Sequence, residues 1–152
     1  MAETIAGKGI KVAIGCDHAG YALKEELKKF YQQEGFKVTD FGTNSSESVD
    51  YPDYVHPLCN SVEVKENDFG VIVCGSGNGV AMTANKHSGI RAALCWNREI
   101  ASLARRHNDA NVLSLPARFI DTETAREISL TFLNEKFDGG RHQLRVKKIA
   151  EC

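Results

Sequence analysis

Cys74 stands directly before a run of alternating glycines, CGSGNG at 74–79. Gly75, Gly77 and Gly79 let backbone N–H groups of the loop, those of Ser76 and Asn78 included, turn towards one point. That point lies beside what reads as a helix N-terminus with its partial positive charge. Such a nest holds a phosphate, a carboxylate or an oxyanion that develops during a reaction; read more plainly, it is a tight turn. The spacing is not a dinucleotide fingerprint, which needs glycine where Val80 stands, and the P-loop spacing is absent. A helix N-terminus favours thiolate over thiol, so Cys74 can act as a nucleophile or a general base. The alternative is a small buried hydrophobe that ends a strand. Cys16 and Cys95 also fall at strand ends, and only the adjacent nest sets Cys74 apart.

Asp17-His18 and His107-Asn108-Asp109 each place an imidazole beside a carboxylate or amide, which suits proton transfer. Each alone is more often a solvated loop residue than a catalyst. His56, His87 and His142 have no such setting and read as structural. Arg141 and Arg145 are four apart, so a helix stacks them on one face, where two guanidinium forks suit a phosphate dianion. With Lys147 and Lys148 close by, the same face also reads as solvated and basic. Arg118 is a third phosphate candidate, and Tyr51 and Tyr54 either wall a site or pack their loop.

These groups need a scaffold. Buried-strand patterns occupy Ile10–Cys16, Lys37–Phe41, Phe69–Cys74, Ala92–Cys95 and Val112–Leu115. Helical patterns occupy Tyr21–Glu34, Pro57–Glu66, Val80–Lys86, Arg98–Arg106 and Thr122–Asn134. In the first of these, Leu23, Leu27, Phe30 and Tyr31 make one apolar stripe. Pro57 falls early in its helix, where a missing N–H does no harm. Strands alternating with helices predict an α/β, three-layer α/β/α sandwich with a five-stranded parallel sheet, Rossmann- or flavodoxin-like. The commonest strand order is 2-1-3-4-5. Arg141–Ala150 is too short for another βα unit and reads as a C-terminal helix docked on this subunit or a neighbour. In such sheets ligands bind beyond the carboxyl ends of the strands, where the loops carrying Asp17-His18, Gly75–Gly79 and Arg118 begin.

The 152 residues fit one domain, with 10–152 as its body and 1–9 as an extension expected to be flexible. Nineteen Lys+Arg against 20 Asp+Glu give a net charge of −1, which offers nothing to attract nucleic acid. No apolar run approaches a membrane span, and MAETIAGKG has no apolar leader core, so the expected location is the cytoplasm. Five cysteines, an odd number without a C-x-x-C pair, fit free thiols in a reducing compartment and no zinc site.

Taken together, these segments resemble the ribose-5-phosphate isomerase B family, which includes galactose-6-phosphate isomerase subunits. The resemblance runs from about Lys11 to Ile149. It rests on GCDHAG at 15–20, DYP at 50–52, CGSGNGV at 74–80, ANK at 84–86, GIRA at 89–92, RRHNDANVL at 105–113 and GGRHQLRV at 139–146. It implies cofactor-free, metal-free interconversion of an aldose and a ketose phosphate, here ribose 5-phosphate and ribulose 5-phosphate, in the pentose phosphate pathway. By the same resemblance Cys74 is the base that moves a proton between C2 and C1, and His107 is the acid that opens the ring. Gly75, Ser76, Gly77, Asn78 and Gly79 bind the enediolate oxygen. Asp17, His18, Tyr51 and Asn108 hold the sugar, and Arg118, Arg141 and Arg145 the phosphate. The site lies between subunits of a homodimer or dimer of dimers, with His107, Asn108 and Arg118 from the partner. Members lacking the cysteine base carry a glutamate where Val80 stands, so the cysteine type applies. Ser76 replaces a frequent threonine and keeps a hydroxyl to assist. The rival readings are a hexose-6-phosphate isomerase, for allose or galactose 6-phosphate, and a non-catalytic sugar-phosphate or nucleotide-binding module.

Overall fold

In the computed structural model, which describes residues 7–152, five parallel strands are β1 (Lys11–Cys16), β2 (Lys37–Asp40), β3 (Phe69–Cys74), β4 (Ala92–Leu94) and β5 (Val112–Pro116). Between and after them come α1 (Tyr21–Gln33), α2 (Pro52–Glu63), α3 (Asn78–Ala84), α4 (Arg98–Asn108) and α5 (Thr122–Asn134). α6 (Arg141–Ile149) is the last helix. The sheet order is β2-β1-β3-β5-β4. The sandwich is therefore the expected one, with the last two strands exchanged relative to 2-1-3-4-5. Burial accounts for the exchange. Every residue of β5 is buried, so it needs a strand on each side, whereas β4 is three half-buried residues suited to an edge.

Side chains leave a strand on alternate faces, and this sorts the core into two layers. Val12, Ile14 and Cys16 of β1 and Val71 and Val73 of β3 pack with Leu27 of α1, Ala101 of α4 and Ile128 of α5. Ala13, Ile72 and Cys74 face the other way, onto Val55 and Leu58 of α2 and Val80 and Ala84 of α3. Cys16 and Cys74 thus end neighbouring strands yet point to opposite layers.

Several helix boundaries differ from the sequence pattern, α3 among them (Asn78–Ala84 instead of Val80–Lys86), and two of the differences bear on the site. α2 starts at Pro52 instead of Pro57, so Tyr51 becomes its N-cap and Pro57 lies inside it. Pro52 takes the first-turn position, where a missing N–H does no harm. α4 runs past Arg106 to Asn108, because Asp109 adopts the left-handed conformation (φ +47) that closes a helix. Of the N-terminal extension, residues 1–6 lie outside the described residues. Gly7 is buried, and a Cβ there would lie 2.7 Å from Glu34 O and 2.9 Å from the Phe36 ring.

Lys24 of α1 is fully buried, and its Nζ donates to Asp40 Oδ1 and Oδ2 at 2.8 Å each and to Thr43 O at 2.7 Å. Thr43 N–H in turn bonds Cys16 O at 2.9 Å, so this ammonium braces the strand end that leads into Asp17-His18. Burial alone would raise the Asp40 carboxyl, but Lys24, the Gly42 N–H and Lys28 outweigh it and hold it below its usual range. A lowered folded-state value means stability that is present above the unfolded carboxylate range, about pH 4, and lost as pH falls through the folded value. Lys24→Met is expected to cost about 3 kcal/mol, roughly 10 °C in Tm, and to flatten this acid limb. Urea melts from pH 3 to 7 check both effects, and an unchanged midpoint would contradict the bracing role.

Candidate active site

β3 ends at Cys74, and the loop that follows folds back onto the sulfur. Gly77 is left-handed (φ +75), which turns its N–H to Cys74 Sγ at 3.1 Å. An amide aimed at sulfur stabilises negative charge on it. Ser114 of β5 donates from Oγ to Gly77 O at 2.6 Å and locks the loop from below. A Cβ at Gly77 would press on Leu94 and on the backbone of Leu115 and Pro116, so this turn accepts no side chain. Arg118 N–H bonds Gly75 O at 3.0 Å and Ala117 N–H bonds Cys74 O at 2.9 Å, which closes the two strand ends against each other.

Cys74, Gly75, Ser76 and Gly79 form one wall of a cavity of about 510 Å³, and Asp17, His18, Tyr51 and Arg118 form the rest with Ala19 and Phe119. Asp17 is buried, and its Oδ1 accepts the Gly20 N–H at 3.1 Å, capping the short turn His18–Gly20. His18 Nδ1 accepts the Val49 N–H at 3.2 Å, so the neutral ring carries its proton on Nε2. The Tyr51 ring lies over Gly79, where a Cβ would sit 2.6 Å from its Cζ. The Arg118 guanidinium lies over Gly75, where a Cβ would sit 3.1 Å from a terminal nitrogen. Burial pushes Cys16 and Cys95, and also Cys59, up to about 12, where they stay protonated.

Gly77 and Asn78 do not line this cavity. Gly77 spends its N–H on Cys74, Asn78 N–H bonds Ser76 Oγ at 3.3 Å, and Asn78 borders a neighbouring cavity with Met82 and Leu94. Two amides of the nest are therefore engaged within the loop itself.

His107, Asn108, Arg141 and Arg145 form a second group at the other end of the sheet. α4 returns from the carboxyl end of β4 to the amino end of β5, and Val112–Pro116 separates the ends by about 13 Å. Arg105 pins this end: its guanidinium bonds Asp109 Oδ1 at 3.0 Å and Ala110 O at 2.6 Å and sits over the Phe69 ring. Asp138 N–H bonds Arg106 O at 3.0 Å, and the left-handed pair Gly139-Gly140 then turns the chain into α6. The His107 and His142 rings stack there, centroids 4.2 Å apart and planes 12° apart. Desolvation in the stack, then the charges of His107 and Arg141, holds the His142 imidazole below its usual value.

This grouping corrects the division implied by resemblance. Arg118 belongs to the Cys74 cavity of its own chain, while Arg141 and Arg145 keep company with His107 and Asn108. Ser114 and Phe119 escape the reading of the sequence, and His142, read there as structural, stacks on His107. Ser114 alone left a signal, a hydroxyl in the otherwise apolar strand VLSLP.

Residues 12–149 match the ribose/galactose isomerase family. The ribose-5-phosphate isomerase B of Escherichia coli strain K12 is 43% identical over 139 residues, which cover 91% of this chain and 93% of that one. A crystal structure of a ribose 5-phosphate isomerase from Thermotoga maritima has a TM-score of 0.93 at 50% identity, covering 94% of this chain and 99% of that one. The ribose-5-phosphate isomerase B of Mycoplasma genitalium, solved with bound ribulose-5-phosphate, has a TM-score of 0.90 at 38% identity, covering 95% of this chain and 96% of that one. The match over residues 12–149, with these relatives on this fold, makes the chain a member of the ribose/galactose isomerase family.

Proposed function

We propose that this chain interconverts ribose 5-phosphate and ribulose 5-phosphate without metal or organic cofactor, as a homodimer or dimer of dimers whose active site is shared between subunits. The observation that carries the reading is Cys74 Sγ on the cavity wall with the Gly77 N–H at 3.1 Å. Cys74 thiolate takes the proton from C2 of the open-chain aldose and returns it to C1. The intervening enediolate places negative charge on oxygen, and loop donors with Ser76 stabilise it; each aimed donor contributes about 3 kcal/mol. Asp17, His18 and Tyr51 hold the hydroxyls, and Arg118 with the partner subunit's Arg141 and Arg145 holds the phosphate. That remote grip supplies orientation that a five-carbon sugar cannot supply alone.

Ring opening falls to the partner subunit's His107, beside the partner subunit's Asn108. The placement of His107 at the far end of its own sheet supports this. So does α6, none of whose residues is buried and whose Leu144 and Ile149 remain 61% and 56% exposed, a face suited to a second copy. All five cysteines are free, which fits the cytoplasm.

The test is an assay with ribose 5-phosphate beside allose and galactose 6-phosphates, without added metal. Turnover confined to the pentose supports the reading, and turnover confined to a hexose phosphate replaces it. For the acid, His107→Asn is expected to slow the cyclic substrate about 10²-fold while barely affecting an open-chain analogue. Equal losses on both would remove His107 from ring opening.

A further inference from the structure

We propose that His107, Asp138 and His142 form a three-ligand site for a divalent transition metal of the zinc class. One ligand atom from each lies within 4.8 Å of the others. Three separate elements converge to make it: the last turn of α4 brings His107, the turn before α6 brings Asp138, and the first turn of α6 brings His142. The convergence is built by backbone. Asp138 N–H bonds Arg106 O at 3.0 Å, next to His107, and His142 N–H bonds Gly139 O at 3.1 Å.

Two imidazoles and a carboxylate are the donors that Zn²⁺, Co²⁺ and Ni²⁺ prefer, and a set of three leaves a fourth position for water. Ligands at about 2.1 Å from an ion stand roughly 3.4 Å from one another, so the site closes by about 1.4 Å at most. That closure turns the stacked rings about Cβ–Cγ towards the ion, a motion that side chains at a surface make readily. Two features weaken the site. Arg106 pairs with Asp138 at 3.4 Å and must release it, and the neighbouring Arg141 repels a cation.

Filling the site occupies the lone pair of His107. The consequence for catalysis rests on the assignment of His107 as ring-opening acid: the metal would then act as a reversible inhibitor. The binding does not rest on it.

The experiment is calorimetric titration of Zn²⁺ into the full chain carrying Cys152→Ser, which removes the exposed thiol. One ion per chain is expected, with affinity lowered about tenfold or more by Asp138→Asn and by His142→Gln, and unchanged by Cys74→Ala. Equal affinity in Asp138→Asn and His142→Gln, or loss only in Cys74→Ala, would overturn the site. In parallel, Zn²⁺ is added to turnover assays. Inhibition that His142→Gln relieves supports both site and consequence. Binding that leaves turnover intact supports the site and removes His107 as the acid. A chain inactive on every sugar phosphate, yet binding Zn²⁺ with this dependence, would sink the isomerase reading alone.

Discussion

Cys74→Ala is expected to reduce turnover of ribose 5-phosphate by about 10³- to 10⁴-fold while sugar-phosphate binding stays within about threefold. The sulfur has nothing to replace it. Among the described residues, Asp17 is the only carboxylate that lines the cavity, and its Oδ1 is bound to the Gly20 N–H. The substitution deletes one atom and leaves the Gly77 amide, Arg118 and the sugar contacts in place. A fall in kcat with little change in binding is therefore the signature of a lost base, while a parallel loss of affinity would point to collapse of the loop. Steady-state kinetics with calorimetry on the variant separate the two, and unchanged turnover would remove Cys74 from the chemistry.

Two inactive variants are expected to restore each other. Cys74→Ala damages the cavity at the carboxyl ends of the strands, and His107→Asn damages the group at the amino ends, about 13 Å away across β5. If each site takes one group from each subunit, a heterodimer of the two variants contains one site with both groups intact and one with both defects. Random reassembly then recovers about a quarter of the wild-type rate. A site assembled within one chain predicts no recovery at any mixing ratio. Unfolding and refolding the two variants together, against each alone, decides between them.

The layered fold and the Cys74 loop are legible in the residues because they depend on local rules. The apolar runs of β1, β3 and β5 are buried runs, and the glycines of CGSGNG turn the chain sharply after Cys74. Strand order is less accessible, since what places β5 inside and β4 at the edge is the relative burial of VLSLP and AAL, a comparison across the sheet. The same limit applies to the site. Asp17, His18 and Arg118 follow strand ends and can be placed by topology, but His107 reads as a loop residue and is in fact in the last turn of a helix, because Asp109 accepts a left-handed backbone. Resemblance offers Arg118, Arg141 and Arg145 as phosphate ligands and gives Arg118 to the partner subunit, whereas Arg118 lines the Cys74 cavity of its own chain. Only the path of α4 and the turn at Gly139-Gly140 show that Arg118 and Arg141 lie at opposite ends of the sheet.

The alternation along β3 also bears on how such a chain can change over time. Val73 and Cys74 enter opposite layers, so losing or gaining one residue within Phe69–Val73 would invert the parity of the strand relative to its neighbours. Every reacting group would survive in the polypeptide, yet the sulfur would be entombed beneath α1 and α5. Drift by exchange of one aliphatic residue for another is open to this strand, whereas any frame-preserving single-codon indel is closed to it.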